Sequence, residues 1–347
     1  MQRHKLLVLF LTSLAALLLM GCGLATDFPG SDDTSCKDRS TAADADLPVP
    51  DPALLGGRVA FLSDRDDPDG EIYLYDPLSA ALTRLTNNHL PEEDLAPSPD
   101  GAALAFTVGQ ELYRLDLDCG TAVNGCTQEN WRLLASGVSQ PDWTRWGIAV
   151  TLNFTQTFSE NSSDIAAVDP SSGEVKAFDL GESKPGCGDC LMMKASQPTL
   201  NPQTSCMLYV QESWPHTDPY FALQEFSFML DVPQSGSCPA LRISPAAQDL
   251  AWLPDGQRVA WSESGICVST ADDQKTIPTV LWTPGQNASH PSFSPDGKWM
   301  VFESGLSGNA EIYVMAVPAS GQVNRAGKSQ LNLSSNPKKD WGSVWLP

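Results

Sequence analysis

The sequence predicts an all-β fold, a six-bladed β-propeller of four-stranded antiparallel blades. Three observations predict it. A turn signature of Pro, Asp and Gly recurs along the chain at intervals of about 40 to 50 residues, the period of propeller blades. Each internal occurrence is followed by two short apolar runs and then an alternating one, the pattern of strands buried on both faces giving way to an outer strand with one wet face. The first set of strands lacks its inner member and the chain ends on an inner strand alone, so the two ends complete one sheet.

Taken in order, the chain opens with Arg3 and Lys5 before an apolar run over 6–20, too short to span a bilayer and suited to a signal-peptide core. Residues 1–21 are therefore read as a leader. The run ends in Leu19-Met-Gly-Cys22, which resembles the lipobox of bacterial lipoproteins. That resemblance implies cleavage before Cys22, lipid on Cys22 and, because Gly23 follows, the outer membrane. Residues 22–57 are rich in Asp, Ser, Thr, Ala and Pro, and read as a disordered acidic tether. Its coil reach is roughly 30 Å.

The propeller occupies 58–347. The inner-strand signatures are Asp94-Leu-Ala-Pro-Ser-Pro-Asp-Gly101, Gln140-Pro-Asp-Trp-Thr-Arg-Trp-Gly147, Gln197-Pro-Thr-Leu-Asn-Pro-Gln203, Asp249-Leu-Ala-Trp-Leu-Pro-Asp-Gly256, His290-Pro-Ser-Phe-Ser-Pro-Asp-Gly297 and Gly342-Ser-Val-Trp-Leu-Pro347. Pro sets φ, Asp bonds its own backbone and Gly supplies a positive φ, which is tight-turn chemistry. Second strands are expected at 103–107, 148–153, 206–211, 258–262 and 298–303. Third strands are expected at 111–116, 164–169, 221–231, 266–270 and 311–317. Outer strands are expected at 131–135, 174–180, 240–244, 279–282 and 330–334. The opening set, 58–62, 71–76 and 82–86, supplies second, third and outer strands only.

Ser-Pro-Asp-Gly297, Val-Phe-Glu-Ser304 and Glu311-Ile-Tyr-Val-Met315 together resemble the TolB-type propeller repeat. Arg58-Val-Ala-Phe-Leu-Ser-Asp-Arg65, Glu71-Ile-Tyr-Leu-Tyr-Asp76 and Arg84-Leu-Thr86 fit the same pattern. The resemblance covers 58–347 and implies a scaffold for protein contacts with no cofactor. It departs from TolB in having a tether where TolB carries an α/β domain.

The formal charge of −21 becomes −23 once Arg3 and Lys5 leave with the leader, and such a surface repels nucleic acid and anionic headgroups. Setting Cys22 aside for lipid, eight of the nine Cys remain, an even number that in an exported chain favours disulfides. Cys119 and Cys126 bracket a loop between two strands and are expected to pair. Cys187 and Cys190 staple a Gly-rich loop, Cys206 and Cys238 fall near one end of one sheet, and Cys36 and Cys267 pair by elimination.

Chemistry is sparse. No Gly-x-Ser-x-Gly elbow and no His-Glu-x-x-His occurs. Three His remain after the leader, His89, His216 and His290, one to a blade, which leaves little for a His-based metal site. Asp64-Arg-Asp-Asp-Pro-Asp-Gly70 departs from a calcium loop at Arg65 and at Asp76, and reads as a solvated hairpin. No enzyme, metal or cofactor is expected. One column stands out: Asp94, Gln140, Gln197, Asp249 and His290, with Gly342 sixth, precede the shared Pro or Leu of each inner strand. Inner strands surround the axis, so these residues are expected to ring one mouth of the channel, beside long loops at 154–163, 187–190 and 212–219. The function expected is a lipid-anchored, non-enzymatic interaction module of the cell envelope that meets a protein partner at this mouth. The alternative is a carbohydrate-active or small-molecule-binding propeller using the same mouth.

Overall fold

The structure, a computed structural model, describes residues 36, 46–121, 126–154, 162–178, 193–204, 206–213, 220–225, 247–270, 280–283, 287–319, 322–324 and 329–347. The strands, in order, are β1 (Arg58–Ser63), β2 (Glu71–Asp76) and β3 (Ala81–Arg84); β4 (Glu92–Pro97), β5 (Ala103–Val108), β6 (Glu111–Asp116) and β7 (Trp131–Ser136); β8 (Val138–Thr144), β9 (Gly147–Phe154), β10 (Ser162–Val168) and β11 (Val175–Ala177). Then come β12 (Met193–Leu200), β13 (Cys206–Ser213) and β14 (Tyr220–Glu225); β15 (Gln248–Trp252), β16 (Arg258–Ser262), β17 (Ile266–Thr270) and β18 (Val280–Leu281); β19 (Ser289–Phe293), β20 (Trp299–Ser304), β21 (Glu311–Ala316) and β22 (Gln330–Asn332); and finally β23 (Asp340–Leu346).

Each group is one antiparallel meander, and β23 lies against β1, with Val59 opposite Trp345 and Ser63 opposite Asp340. Five sheets have four strands, whereas β12–β13–β14 has three among the described residues. That corrects the expectation of six four-stranded blades: five are complete, and the outer strand expected at 240–244 falls outside the described residues. Among the described residues no strand ladder runs from one sheet to the next, so neighbouring sheets meet through side chains and not through a continuous ladder.

That packing follows directly from the double-sided apolar strands. Phe61 and Tyr73 face Val301, Ile312 and Val314 of the β19–β22 sheet. Residues one step along the same strands, Leu62, Ile72 and Leu74, face Leu104, Phe106 and Leu115 of the β4–β7 sheet. Alternate side chains of one strand thus feed two interfaces. The same sharing recurs at every sheet pair, through Ile148 and Val150 against β4–β7 and through Ala149 and Ile165 against the β12–β14 sheet.

The turn chemistry is as the sequence implies. Ser294 Oγ donates to Asp296 Oδ1 at 2.7 Å and accepts from the Trp299 amide at 3.0 Å; Ser98 and Asp100 repeat this at 2.6 Å, with the Ala103 amide on Ser98 Oγ. The Glu of each Glu-Ile-Tyr run is a buried acceptor for the connector to the next sheet. Glu71 takes the Asn88 amide at 2.7 Å, and Glu311 takes the Asn336 amide at 3.0 Å.

The described part of the stretch expected to be a free tether is tied down. Cys36 is disulfide-bonded to Cys267 of β17, Leu47 packs beside Trp282 and Val323, Pro50 is buried, and Leu55 is 3% exposed against Trp345. Within 46–57, where a free tether was expected, Leu47, Pro50 and Leu55 find places on the sheets. Cys119 and Cys126 are bonded as expected, and Cys206 is in a disulfide. Cys22, Cys187, Cys190 and Cys238 lie outside the described residues.

Candidate functional site: the ring mouth

Asp94, Gln140, Gln197, Asp249, His290 and Gly342 share one backbone conformation, with φ of 51°, 52°, 53°, 50°, 50° and 62°. At each of them the inner strand slips against its second strand, for example between Glu93 and Ala96, Ser139 and Asp142, and Ser289 and Ser292. The column is therefore a bulge repeated round the axis. A left-handed residue costs roughly 1–2 kcal/mol for a side chain other than Gly. Asp and His tolerate the region better than most.

At Gln140, Gln197 and His290 the bulge turns the amide toward the preceding sheet, where a side chain of the same column accepts it. The Gln140 amide donates to Asp94 Oδ2 at 3.0 Å and the Gln197 amide to Gln140 Oε1 at 3.1 Å. The His290 amide donates to Asp249 Oδ2 at 3.4 Å and to Ser262 Oγ at 3.1 Å. Gly342 follows His290, and its amide is taken by Glu303 Oε1 of β20 at 2.5 Å. A second rung lies deeper in the channel: the Leu200 amide donates to Asp142 at 2.5 Å, and the Trp345 amide to Ser292 Oγ at 2.9 Å. Burial pushes the Asp142 carboxyl up to about 6, against the pull of the Leu200 amide.

His290 is the one cation of the column. Its Nε2 lies 3.1 Å from Asp249 Oδ1 and its Nδ1 lies 3.0 Å from Glu303 Oε1. Both nitrogens donate only in the imidazolium form. Burial opposes that charge, but the Glu303 hydrogen bond and the fields of Glu303, Asp249 and Asp94 prevail and hold the ring near pKa 9. Glu93 and Asp94 stand exposed beside it, and Glu93 is held above the usual carboxylate range by burial and by Asp94. The sequence column thus comes together at one mouth, and Asp94, Gln140, Gln197, Asp249, His290 and Gly342 each bond to a neighbouring sheet. Sequence reading missed Glu303 and Thr151, which lie on the second strands opposite the bulge. Only the alternation of Glu303 into the His290 face signals it.

Elsewhere, Asp67, Asp69 and His89 bring three donor groups together, with His89 Nδ1 2.7 Å from Asp67 Oδ2. The Asp69 amide, against the opposing effect of burial, and then His89 hold Asp67 below the usual range. Cys36, Glu263 and Cys267 also converge, but both sulfurs are spent on the disulfide. On the opposite face, a cleft of about 480 Å³ lies between the β4–β7 and β8–β11 sheets, lined by Asp100, Arg114, Trp143, Arg145, Trp146 and Asp169. Its cations are engaged: Arg114 with Asp116 at 2.7 Å, and Arg145 stacked 4.3 Å over Trp146. Thr144-Arg-Trp-Gly147 stands where other repeats have Ser-Pro-Asp-Gly, which is the sequence signal for this cleft.

No family model and no curated protein matches the chain. Solved structures do. TolB from Acinetobacter baumannii aligns at 16% identity and a TM-score of 0.55, over 86% of this chain and 68% of that one. The fold is the TolB-like β-propeller. Hydrazine synthase from Kuenenia stuttgartiensis aligns at 11% identity and a TM-score of 0.54, over 85% of this chain and 46% of that one. A weaker likeness, with a TM-score of 0.45, is to a gluconolactonase from Xanthomonas campestris, at 12% identity over 86% of this chain and 88% of that one. At these identities the likenesses to TolB and to hydrazine synthase show a shared fold alone. Among the described residues no helix is long and apolar enough to cross a membrane.

Proposed function

We propose that this protein is a non-enzymatic interaction propeller of the cell envelope, anchored by lipid on Cys22, that captures a basic segment of a partner protein at the ring mouth. The observation that supports this most is the charge arrangement there. Glu93, Asp94 and Asp249 sit exposed or half-exposed around the channel, Glu303 lies behind them, and the column offers one counter-charge, His290. A Lys or Arg side chain entering the mouth gains on-rate and orientation from that field.

The test is in-cell photo-cross-linking from position 93 at the mouth and from position 174 on the outer edge. Cross-links to one partner, at a Lys- or Arg-containing segment, are expected from 93 and not from 174. The companion variants are Asp94→Asn and Asp249→Asn, because each keeps the amide-accepting oxygen that joins the sheets while removing charge. They should weaken capture several-fold, with a smaller salt dependence, whereas Glu174→Lys should leave it unchanged. Capture unaffected by both Asn variants and lost in Glu174→Lys would place the partner on the rim.

A second reading, a carbohydrate-active or small-molecule-binding protein, is favoured by one observation, the convergence of Asp249 and Glu303 on His290. It predicts that a small ligand, and not a protein, is displaced when His290 is replaced by Ala.

A further inference from the structure

The hairpin between β1 and β2 meets the connector from β3 to β4 at the mouth end of the first two sheets, where Ser63 pairs with Asp340, just ahead of Gly342 of the ring. By sequence this hairpin falls short of a calcium loop because Arg65 stands among its acids. The structure turns Arg65 aside. Its Nε donates to Ser63 Oγ and its guanidinium to Asp340, each at 2.8 Å, and it stacks over Phe61 and Tyr73. Asp64 accepts the Lys339 amide at 2.7 Å, and Asp66 accepts the Tyr73 hydroxyl. Asp67 and Asp69 remain, and the connector brings His89 to them. Ligand atoms of the three all lie within 4.8 Å of one another.

Both sides of this cluster are held. Gly70 seats the hairpin against Trp341, because a Cβ there would lie 2.8 Å from the indole. Asn88 fixes the connector on either side of His89. Its amide donates to Glu71 Oε1 at 2.7 Å, its Nδ2 donates to Glu92 Oε1 at 2.6 Å, and its Oδ1 accepts the Leu90 amide at 2.6 Å. A separate observation calls for positive charge at this junction. Glu71 and Glu92 are buried, and the second oxygen of each has no partner among the described residues. Arg65 and Arg84 are already bonded to Asp340 and Glu71.

We propose that Asp67, Asp69 and His89 form a site for one divalent transition-metal ion of the zinc type, which ties the β1–β2 hairpin to the connector that leads into Glu93 and Asp94. An imidazole beside two carboxylates suits such an ion, whereas calcium takes six to eight oxygens. Donors on one zinc ion stand roughly 3 to 3.5 Å apart, given bonds of about 2.0–2.2 Å. Asp67 is buried and already faces the imidazole at 2.7 Å, while His89 and Asp69 are exposed, so small side-chain movements complete the set. The ion takes the place of the proton that His89 Nδ1 and Asp67 Oδ2 share, and that proton leaves to water. Three protein donors leave the remaining positions open to water or to a donor from another molecule. The added charge also eases the burial of Glu71 and Glu92 close by.

The experiment titrates the exported full-length protein, stripped with a chelator, with Zn²⁺ in a calorimeter, and with Ca²⁺ as the comparison ion. One Zn²⁺ per chain should bind with micromolar affinity or better, and Ca²⁺ far more weakly. His89→Ala and Asp69→Ala should each weaken Zn²⁺ binding roughly tenfold or more. Both side chains are exposed, so the melting temperature of the metal-free protein should not change, while the rise that Zn²⁺ produces in the wild type should be lost. His216→Ala should leave Zn²⁺ binding as it is. Three results would each overturn the site: no Zn²⁺ bound, Zn²⁺ bound equally well by both Ala variants, or binding lost instead in His216→Ala. Calcium bound more tightly than zinc would overturn the assignment of the ion.

Discussion

His290 and Glu92 are held in the form that their solution chemistry disfavours at neutral pH, by opposite means. In the unfolded chain His290 titrates near 6.5, but between Asp249 and Glu303 it titrates near 9. Its folded pKa is raised, so its contribution to stability is complete below pH 6.5 and is lost as the pH rises through about 9. Melting temperature should fall across that window, and His290→Gln should flatten the fall. A wild-type melting temperature that stays level from pH 6.5 to 9.5 would show that the clamp does not form. Glu92 is 1% exposed, and burial lifts its carboxyl to about 7, with Asn88 pulling it down and Glu71 pushing it further up. One oxygen accepts from Asn88 Nδ2 at 2.6 Å and the other has no partner among the described residues. Ionisation therefore costs stability as the pH rises from about 4.5 through 7. Glu92→Gln should stabilise the protein at pH 8, by up to about 3 kcal/mol, and do nothing at pH 4. Equal denaturation midpoints for the two proteins at pH 8 would contradict this.

The inner strand is the element on which each sheet depends, and its bulge makes two opposing demands on one residue. The position needs a left-handed backbone, which favours Gly, and a side-chain acceptor for the next amide, which Gly lacks. Gln140 meets the second demand twice over, since its Oε1 takes the Gln197 amide at 3.1 Å and the Thr151 hydroxyl at 2.8 Å. Gln140→Gly should cost about 1 kcal/mol, the net worth of a hydrogen bond, offset in part by relief of the backbone. Gln140→Val loses the acceptor and places a β-branched residue at φ near 52°, adding roughly 1–3 kcal/mol. Urea denaturation of the three proteins tests the order, and a Val variant as stable as the Gly variant would reject the backbone argument. The outer strands carry far less. β11, β18 and β22 are two or three residues long, and short edges are how a ring of sheets avoids pairing with other chains.

For the whole molecule, the last strand, β23, completes the sheet of the first, β1, and one disulfide joins residues 231 apart in the sequence. Trp345 is 3% exposed and its indole N–H donates to the Gly56 carbonyl at 2.9 Å. Deleting residues 341–347 removes it with Leu346 and bares β1. Losing one large aromatic costs about 3–5 kcal/mol, comparable to the margin of a domain. The truncated protein should aggregate or melt far lower, and an unchanged melting curve would show that β23 does not stabilise the ring. Cys119–Cys126 and Cys36–Cys267, two of the disulfides, differ in the same sense. Cys119–Cys126 closes a separation of 7 residues and Cys36–Cys267 one of 231, which the chain-entropy model converts to about 2 and about 5 kcal/mol. Replacing the second pair with Ser should lower the melting temperature more than replacing the first, as calorimetry of the two variants can establish.

The sequence alone determined what is set by local chemistry and repetition. Ser-Pro-Asp-Gly turns, doubly apolar second and third strands and the polar residue before each inner-strand Pro or Leu were legible because each recurs with the same spacing and the same local cause. The short reach of a Cys pair made Cys119–Cys126 legible too. Tertiary structure decided the rest. Only the register slip at the bulge shows why Asp94, Gln140, Gln197, Asp249 and His290 share a position, since their hydrogen bonds cross from sheet to sheet over 40 residues and more. Glu303 joins His290 from a neighbouring strand, which no spacing along the chain reveals. Whether the β12–β14 sheet carries its expected outer strand turns on 240–244, outside the described residues. Leu47, Pro50 and Leu55 look like tether by composition, and they hold to the sheets because a surface assembled from distant residues lies within their reach.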